Sequence, residues 1–167
     1  MDNINLVKKA KKGDKDAFAA LFMNYKDKLY KYAYFKLGEE DAMDAVMDCI
    51  SEAWENIRTL KSEKAFSTWI FKILYRNCSA RIKEQIRRKE NVSIEDTVIA
   101  SYTDFKSAEL KEALELLTAE EREIVLLSAV AEYNSREIAK LIGIKPTTAR
   151  SKLSRSLSKM REFLEVT

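Results

Sequence analysis

The chain has 167 residues, 46% apolar and 34% charged, with three Gly, one Pro, two Cys and no His. So few turn residues favour helices over sheets, and no apolar run approaches the roughly 20 residues that cross a bilayer. The lysine-bearing N-terminus leads into no apolar signal core, so a cytoplasmic protein is expected; the lack of histidine excludes histidine acid–base chemistry and leaves Cys49 and Cys78 without metal-ligand spacing, so neither a metal nor another cofactor is expected.

Helical spacing predicts two helices between Asn5 and Leu37, broken near Gly13–Asp14, with Phe18, Leu21, Phe22, Tyr25, Leu29, Tyr32 and Ala33 turned inward. Gly38 is the predicted end. The next helix starts near Glu39, where early acids suit the positive end of the helix dipole. Ala42, Ala45, Val46, Cys49, Ile50, Ala53, Trp54 and Ile57 make its buried face. A further helix runs from about Lys64 towards Lys89 and buries Phe66, Trp69, Ile70, Ile73 and Leu74. Both cysteines lie among apolar helical positions and read as buried structural thiols. Residues 91–106 mix Ser, Thr and Asp with isolated apolar residues, without period. That segment reads as a linker able to span roughly 50 Å at about 3.3 Å per residue. Beyond it, Leu110, Ala113, Leu114 and Leu117 form a helical stripe, and Thr118 to Glu121 match a capping box that opens another helix.

The net charge of +3 is small, but it is unevenly placed. Glu39 to Glu55 carries acids and no base, Lys72 to Lys89 is basic but for Glu84, and Lys145 to Arg161 holds no acid. One acidic and two basic patches suggest several large partners.

The last basic stretch contains the most informative pattern. Asn134 to Ile144 reads as a capped helix with a glycine turn at Gly143, and Pro146 suits the first turn of the helix that follows. That last helix places Ala149, Leu153, Leu157, Met160 and Leu164 on one face; Thr147, Arg150, Ser151, Ser154, Arg155 and Ser158 occupy the other, flanked by Lys152 and Lys159. A helix held by its apolar face, with short polar side chains and arginines outward, fits the major groove. The lysines suit phosphates. An ordinary helical hairpin with a solvated basic face is the plainer alternative, although cap, turn, proline and acid-free helix coincide here.

In the N-terminal half, Asp41, Asp44, Asp48, Glu52 and Glu55 recur at steps of three or four. The stripe fits either a solvated face or a docking face for a protein, and the lack of alternating lysine favours the second. Downstream, Lys72, Arg76, Lys83 and Arg87 line a helical face that could follow a phosphate backbone.

Taken in order, these segments resemble the extracytoplasmic-function (ECF) subfamily of sigma-70 factors over nearly the whole chain. Gly13 to Phe18 is similar to region 2.1, Asp41 to Asp48 with Trp54 to region 2.2, Phe66 to Ile73 to regions 2.3 and 2.4, and the helix-turn-helix to region 4.2. The resemblance implies an all-α chain of two small helical domains on a flexible linker: sigma region 2 over 1–90, the linker over 91–106, and sigma region 4 over 107–167. It implies a sigma factor that binds core RNA polymerase through the β′ clamp helices and the β flap and directs initiation at promoter DNA. Asp41, Asp44, Met47, Asp48 and Ser51 would dock on polymerase. Lys72, Arg76, Asn77, Arg81 and Lys83 would hold the −10 strand, and Thr147, Arg150, Ser151, Lys152, Ser154 and Arg155 the −35 element. An anti-sigma factor, often membrane-anchored, is a further implied partner.

The chain departs from the family pattern at Met47, where Gln is common, and at Arg76, where Asn is common and Asn77 follows one residue late. Thr147 and Ser154 replace Gly and His. Two other readings compete. One is a dimeric helix-turn-helix regulator, which would bind palindromic DNA without polymerase. The other is a nuclease holding Mg²⁺ on its carboxylates, but these form a ladder along one helix instead of converging from separate elements. No step implied by the family reading needs catalysis by this chain.

Overall fold

The computed structural model describes residues 2–91 and 107–166, and every regular element among them is helical. The helices fall into two units on either side of the undescribed segment. The predicted linker lies outside the described residues, except Asn91, which is still helical.

Helix α1 (Asn3–Lys11) and helix α2 (Lys15–Leu37) each begin at an aspartate cap: Asp2 accepts from the Asn5 amide and Asp14 from the Ala17 amide. Such a cap contributes about 1 kcal/mol. Gly13, at φ +94°, makes the sharp turn between them. Helix α3 (Glu39–Asn56) carries Glu39, Glu40 and Asp41 in its first turn. A connector with two short 3₁₀ turns, Ile57–Thr59 and Glu63–Ala65, leads into helix α4 (Phe66–Asn91).

The N-terminal core forms where α2, α3 and α4 meet. Leu21, Leu29 and Tyr32 of α2, Val46 and Cys49 of α3, and Ile70, Phe71 and Leu74 of α4 are sealed from solvent. Each large aliphatic side chain there contributes about 1.5–3 kcal/mol through burial. Ala42, Ala45 and Ala53 keep the α3 face thin enough for close packing. Tyr32 meets Phe71 edge-on at 6.1 Å. Phe22, Tyr25, Ile50, Trp54 and Trp69 are only half-buried, so they edge the core instead of filling it. Trp54 leans on Phe18 and Trp69 on Phe66.

In the C-terminal unit, α5 (Ala108–Glu115), α6 (Ala119–Ala129) and α7 (Ser135–Ile142) all pack on the long α8 (Pro146–Val166). Arg122 of α6 donates to the carbonyls of Leu114 and Leu117, covering acceptors left open where α5 ends. The predicted burial of Leu157 and Leu164 does not hold: both are 40% exposed. The inward line instead passes through Ala149, Leu153, Ser156, Met160 and Phe163. The small Ser156 is what α8 presents to its neighbours, and Leu157 lies about 100° further round.

Candidate nucleic-acid interface

The helix-turn-helix is built by local chemistry. The Asn134 side chain accepts from the Glu137 amide at 2.9 Å, and the Glu137 carboxylate accepts from the Asn134 amide at 3.1 Å, a reciprocal cap that starts α7. Gly143 ends α7 in the left-handed region at φ +79°, and the amides of Gly143 and Ile144 both donate to Ala139. Two residues later Pro146 opens α8, where a missing amide hydrogen costs nothing.

On α8, Thr147, Arg150, Ser151, Ser154 and Arg155 are exposed, and Arg150, Ser151, Ser154 and Arg155 line a shallow depression open to solvent. Neither arginine has a carboxylate partner among the described residues. The depression can take acceptor edges or phosphate oxygens between two guanidinium groups. Lys152, predicted to join this set, turns away and pairs with Glu120 of α6. Its companion Lys159 pairs with Glu121 at 3.3 Å. Two residues along a helix correspond to about 200°, so Lys152 cannot share a face with Arg150.

The acidic helix α3 divides into two outward faces. Asp41, Asp48 and Glu52 face α4, forming an antiparallel ladder with Gln85, Arg81 and Arg76 respectively. Glu40, Met43, Asp44, Met47, Ser51 and Glu55 face solvent. Met43 and Met47 are 41% and 49% exposed, one helical turn apart. Sequence reasoning singled out Met47 and passed over Met43, although their spacing of four already placed them together.

The α4 residues predicted to form one basic face are likewise sorted. Among the described residues Lys72 and Lys83 are exposed and bear no ion pair, whereas Arg76 and Arg81 reach back to Glu52 and Asp48. Arg87 and Arg88 share Glu84 within the helix. Asn77 is half-buried and its amide nitrogen is sealed with no hydrogen-bond partner, so it does not stand open beside Lys72.

Cys49 and Cys78 are buried free thiols, as their apolar surroundings predict. Burial pushes both up to about 12, which leaves them protonated and unreactive near neutrality. Among the described residues no cluster of three or more acidic, Cys or His side chains is placed to hold a metal ion, and no helix is long and apolar enough to cross a membrane.

Two sequence-family models match the chain in order: "Sigma-70 region 2" over residues 21–89 and "Sigma-70, region 4" over residues 107–160. The chain belongs to the sigma-70 family. Its similarity to curated sigma factors runs almost end to end. It is 26% identical to the RNA polymerase sigma factor SigV of Bacillus subtilis over 156 residues, covering 92% of this chain and 94% of that one. It is also 26% identical to the ECF RNA polymerase sigma factor SigW of the same organism, covering 95% and 94%. Among solved structures, CnrH, determined in complex with the cytosolic domain of CnrY, matches at a TM-score of 0.71 and 21% identity over 98% of this chain and 97% of that one. RpoE of Bartonella quintana, determined with the anti-sigma factor NepR, matches at 0.72 and 22% over 89% and 97%. These two likenesses support the fold. The sigma factor is of the ECF subfamily and acts in transcription initiation, binding core RNA polymerase and promoter DNA through regions 2 and 4.

Proposed function

We propose that the surfaces described above divide the work of this sigma factor. The solvent face of α3, with Asp44, Met47 and Ser51 and with Met43 added, docks on the β′ clamp helices of core polymerase. Asp41 and Asp48 contribute from the edge that it shares with α4. Lys72 and Lys83 take phosphates of the unpaired −10 strand, joined by Arg76 and Arg81 when these leave Glu52 and Asp48. In the C-terminal unit, Thr147, Arg150, Ser151, Ser154 and Arg155 enter the major groove at −35, while Lys152 braces α8 against α6. The chain carries out no covalent step itself; it positions polymerase and DNA in the cytoplasm. The domains divide as 1–90 and 107–167 around the linker.

The observation that carries this reading is the outward face of α8: two arginines without an ion pair among the described residues, with Ser151 and Ser154 between them, on a helix whose opposite face is packed and ion-paired to α6. The two structural neighbours, one solved with an anti-sigma factor and the other with a cytosolic domain, support control of this chain by a protein that masks the same surfaces.

Run-off transcription with purified bacterial core polymerase tests the reading. The folded chain should support specific starts, and Arg150→Ala should weaken −35 recognition by about 1–3 kcal/mol at one base position while core binding stays intact. Equal loss of core binding and DNA binding would sink the assignment.

A further inference from the structure

The sulfur atoms of this chain are unevenly exposed. Cys49 and Cys78, whose thiols would ordinarily meet an oxidant first, are sealed from solvent, and burial keeps both protonated. Met160 is buried in the C-terminal unit, at 8% exposure. Met23 on α2 and Met43 and Met47 on α3 stand in solvent, at 64%, 41% and 49%. Among the described residues, the sulfur open to attack is therefore thioether sulfur.

Met43 and Met47 share a place. They are four residues apart on α3, so their side chains adjoin on one face of the helix. Glu40, Asp44 and Ser51 surround them on that face and are exposed too. The opposite side of α3, with Ala42, Ala45, Val46 and Cys49, holds the helix in the bundle. The fold therefore does not depend on these two thioethers staying apolar, whereas a protein contact made through them does.

A methionine side chain is flexible and polarisable, which suits it to apolar contact with another protein. Oxidation reverses that character. A peroxide or hypochlorous acid gives one oxygen atom to the sulfur: a sulfur lone pair forms the S–O bond as the O–O or O–Cl bond breaks. The thioether is oxidised by two electrons, and the reduced oxidant leaves as water, or as chloride and a proton. The sulfoxide oxygen is a hydrogen-bond acceptor, and the neighbouring carboxylates of Glu40 and Asp44 offer it no donor. Pressed against a partner, it loses its water without replacement.

We infer that Met43 and Met47 form an oxidation site, at which conversion to the sulfoxide by a peroxide or hypochlorous acid reversibly weakens docking on core polymerase. The inference rests on the reading of the α3 solvent face as the docking face. Reversal is open because methionine sulfoxide is a substrate of sulfoxide reductases.

The test treats the purified chain with hypochlorous acid, maps sulfoxides by peptide mass spectrometry, and compares core affinity with that of the same protein untreated. Sulfoxide should appear at Met23, Met43 and Met47 before Met160. Core affinity should fall about tenfold or more at an unchanged urea midpoint, and methionine sulfoxide reductase should restore it. M23L should lose affinity on treatment as the parent chain does. M43L/M47L, whatever affinity it starts from, should keep it. Equal proportional losses in M43L/M47L and the parent would overturn the inference, as would undiminished affinity in a parent chain carrying both sulfoxides. Oxidation of the assembled holoenzyme separates this from the docking reading, because core should shield Met43 and Met47. Shielded methionines whose oxidation in the free chain leaves affinity unchanged would refute the inference and leave docking standing. Unshielded methionines would refute the docking face itself, and the inference with it.

Discussion

Glu52→Gln separates two readings of the α3–α4 ladder. Arg76 meets Glu52 at 3.2 Å, with the two side chains 59% and 38% exposed. A pair so open to water contributes about 0.2–1 kcal/mol. If Glu52 withholds Arg76 from the −10 strand, its removal returns that energy to the phosphate contact, and affinity should rise about 1.5- to 5-fold. Glu52 lies outside the proposed docking face, so affinity for core polymerase should not change. Anisotropy of a labelled −10 oligonucleotide bound by holoenzyme reads the effect, and urea unfolding should show less than about 1 kcal/mol of lost stability. Combining Glu52→Gln with Arg76→Ala should abolish the gain, because the gain acts only through Arg76. A fall in DNA affinity at unchanged stability would refute the withholding idea and make Glu52 the residue that orients Arg76.

Other perturbations address the two units separately. Arg155→Ala should reduce the salt slope of −35 binding by about 0.9, whereas Lys152→Ala, which loses only its Glu120 partner, should leave that slope unchanged. Asn134→Ala breaks the reciprocal cap of α7 and should cost about 1 kcal/mol, read as faster hydrogen exchange across that helix. The thiols of Cys49 and Cys78, raised by burial from 9.0 to about 12, bear on alkaline stability. A raised folded value means that their contribution is complete below pH 9 and is lost as pH climbs towards 12. Urea midpoints should therefore fall over that window, and Cys49→Ala with Cys78→Ala should flatten the fall. Both thiols should also resist alkylation at pH 8 until the chain unfolds; rapid labelling of native protein would contradict their burial.

Much of the fold was legible because helical spacing and capping are local. The break at Gly13–Asp14, the end at Gly38, the capping box at Thr118 and the turn at Gly143 all stand where short-range chemistry put them. The errors arose where a residue's neighbour in space decides its role. Leu157 was placed inward because leucine is apolar, yet the inward step on α8 is three residues from Leu153 to Ser156. Only the helices packed against α8 distinguish the two, since either residue continues a helical stripe.

The charged surfaces follow the same division. Composition located the acidic and basic stretches correctly, but it could not pair them, because Glu52 and Arg76 are separated by 24 residues and Asp48 and Arg81 by 33. Once paired, these ladders cancel much of the charge that made α4 look like the principal strand-binding face. The connector shows the converse. Arg58, Lys61 and Lys64 formed no run long enough to stand out, and their charge becomes concentrated only because Lys11 fastens the connector to the end of α1. Electrostatic potential depends on which charges lack a near partner, and a count along the chain does not contain that information. Among the described residues, Lys72 and Lys83 on α4 and Arg150 and Arg155 on α8 are exposed cations to which no ion pair falls, unlike Arg76 and Arg81.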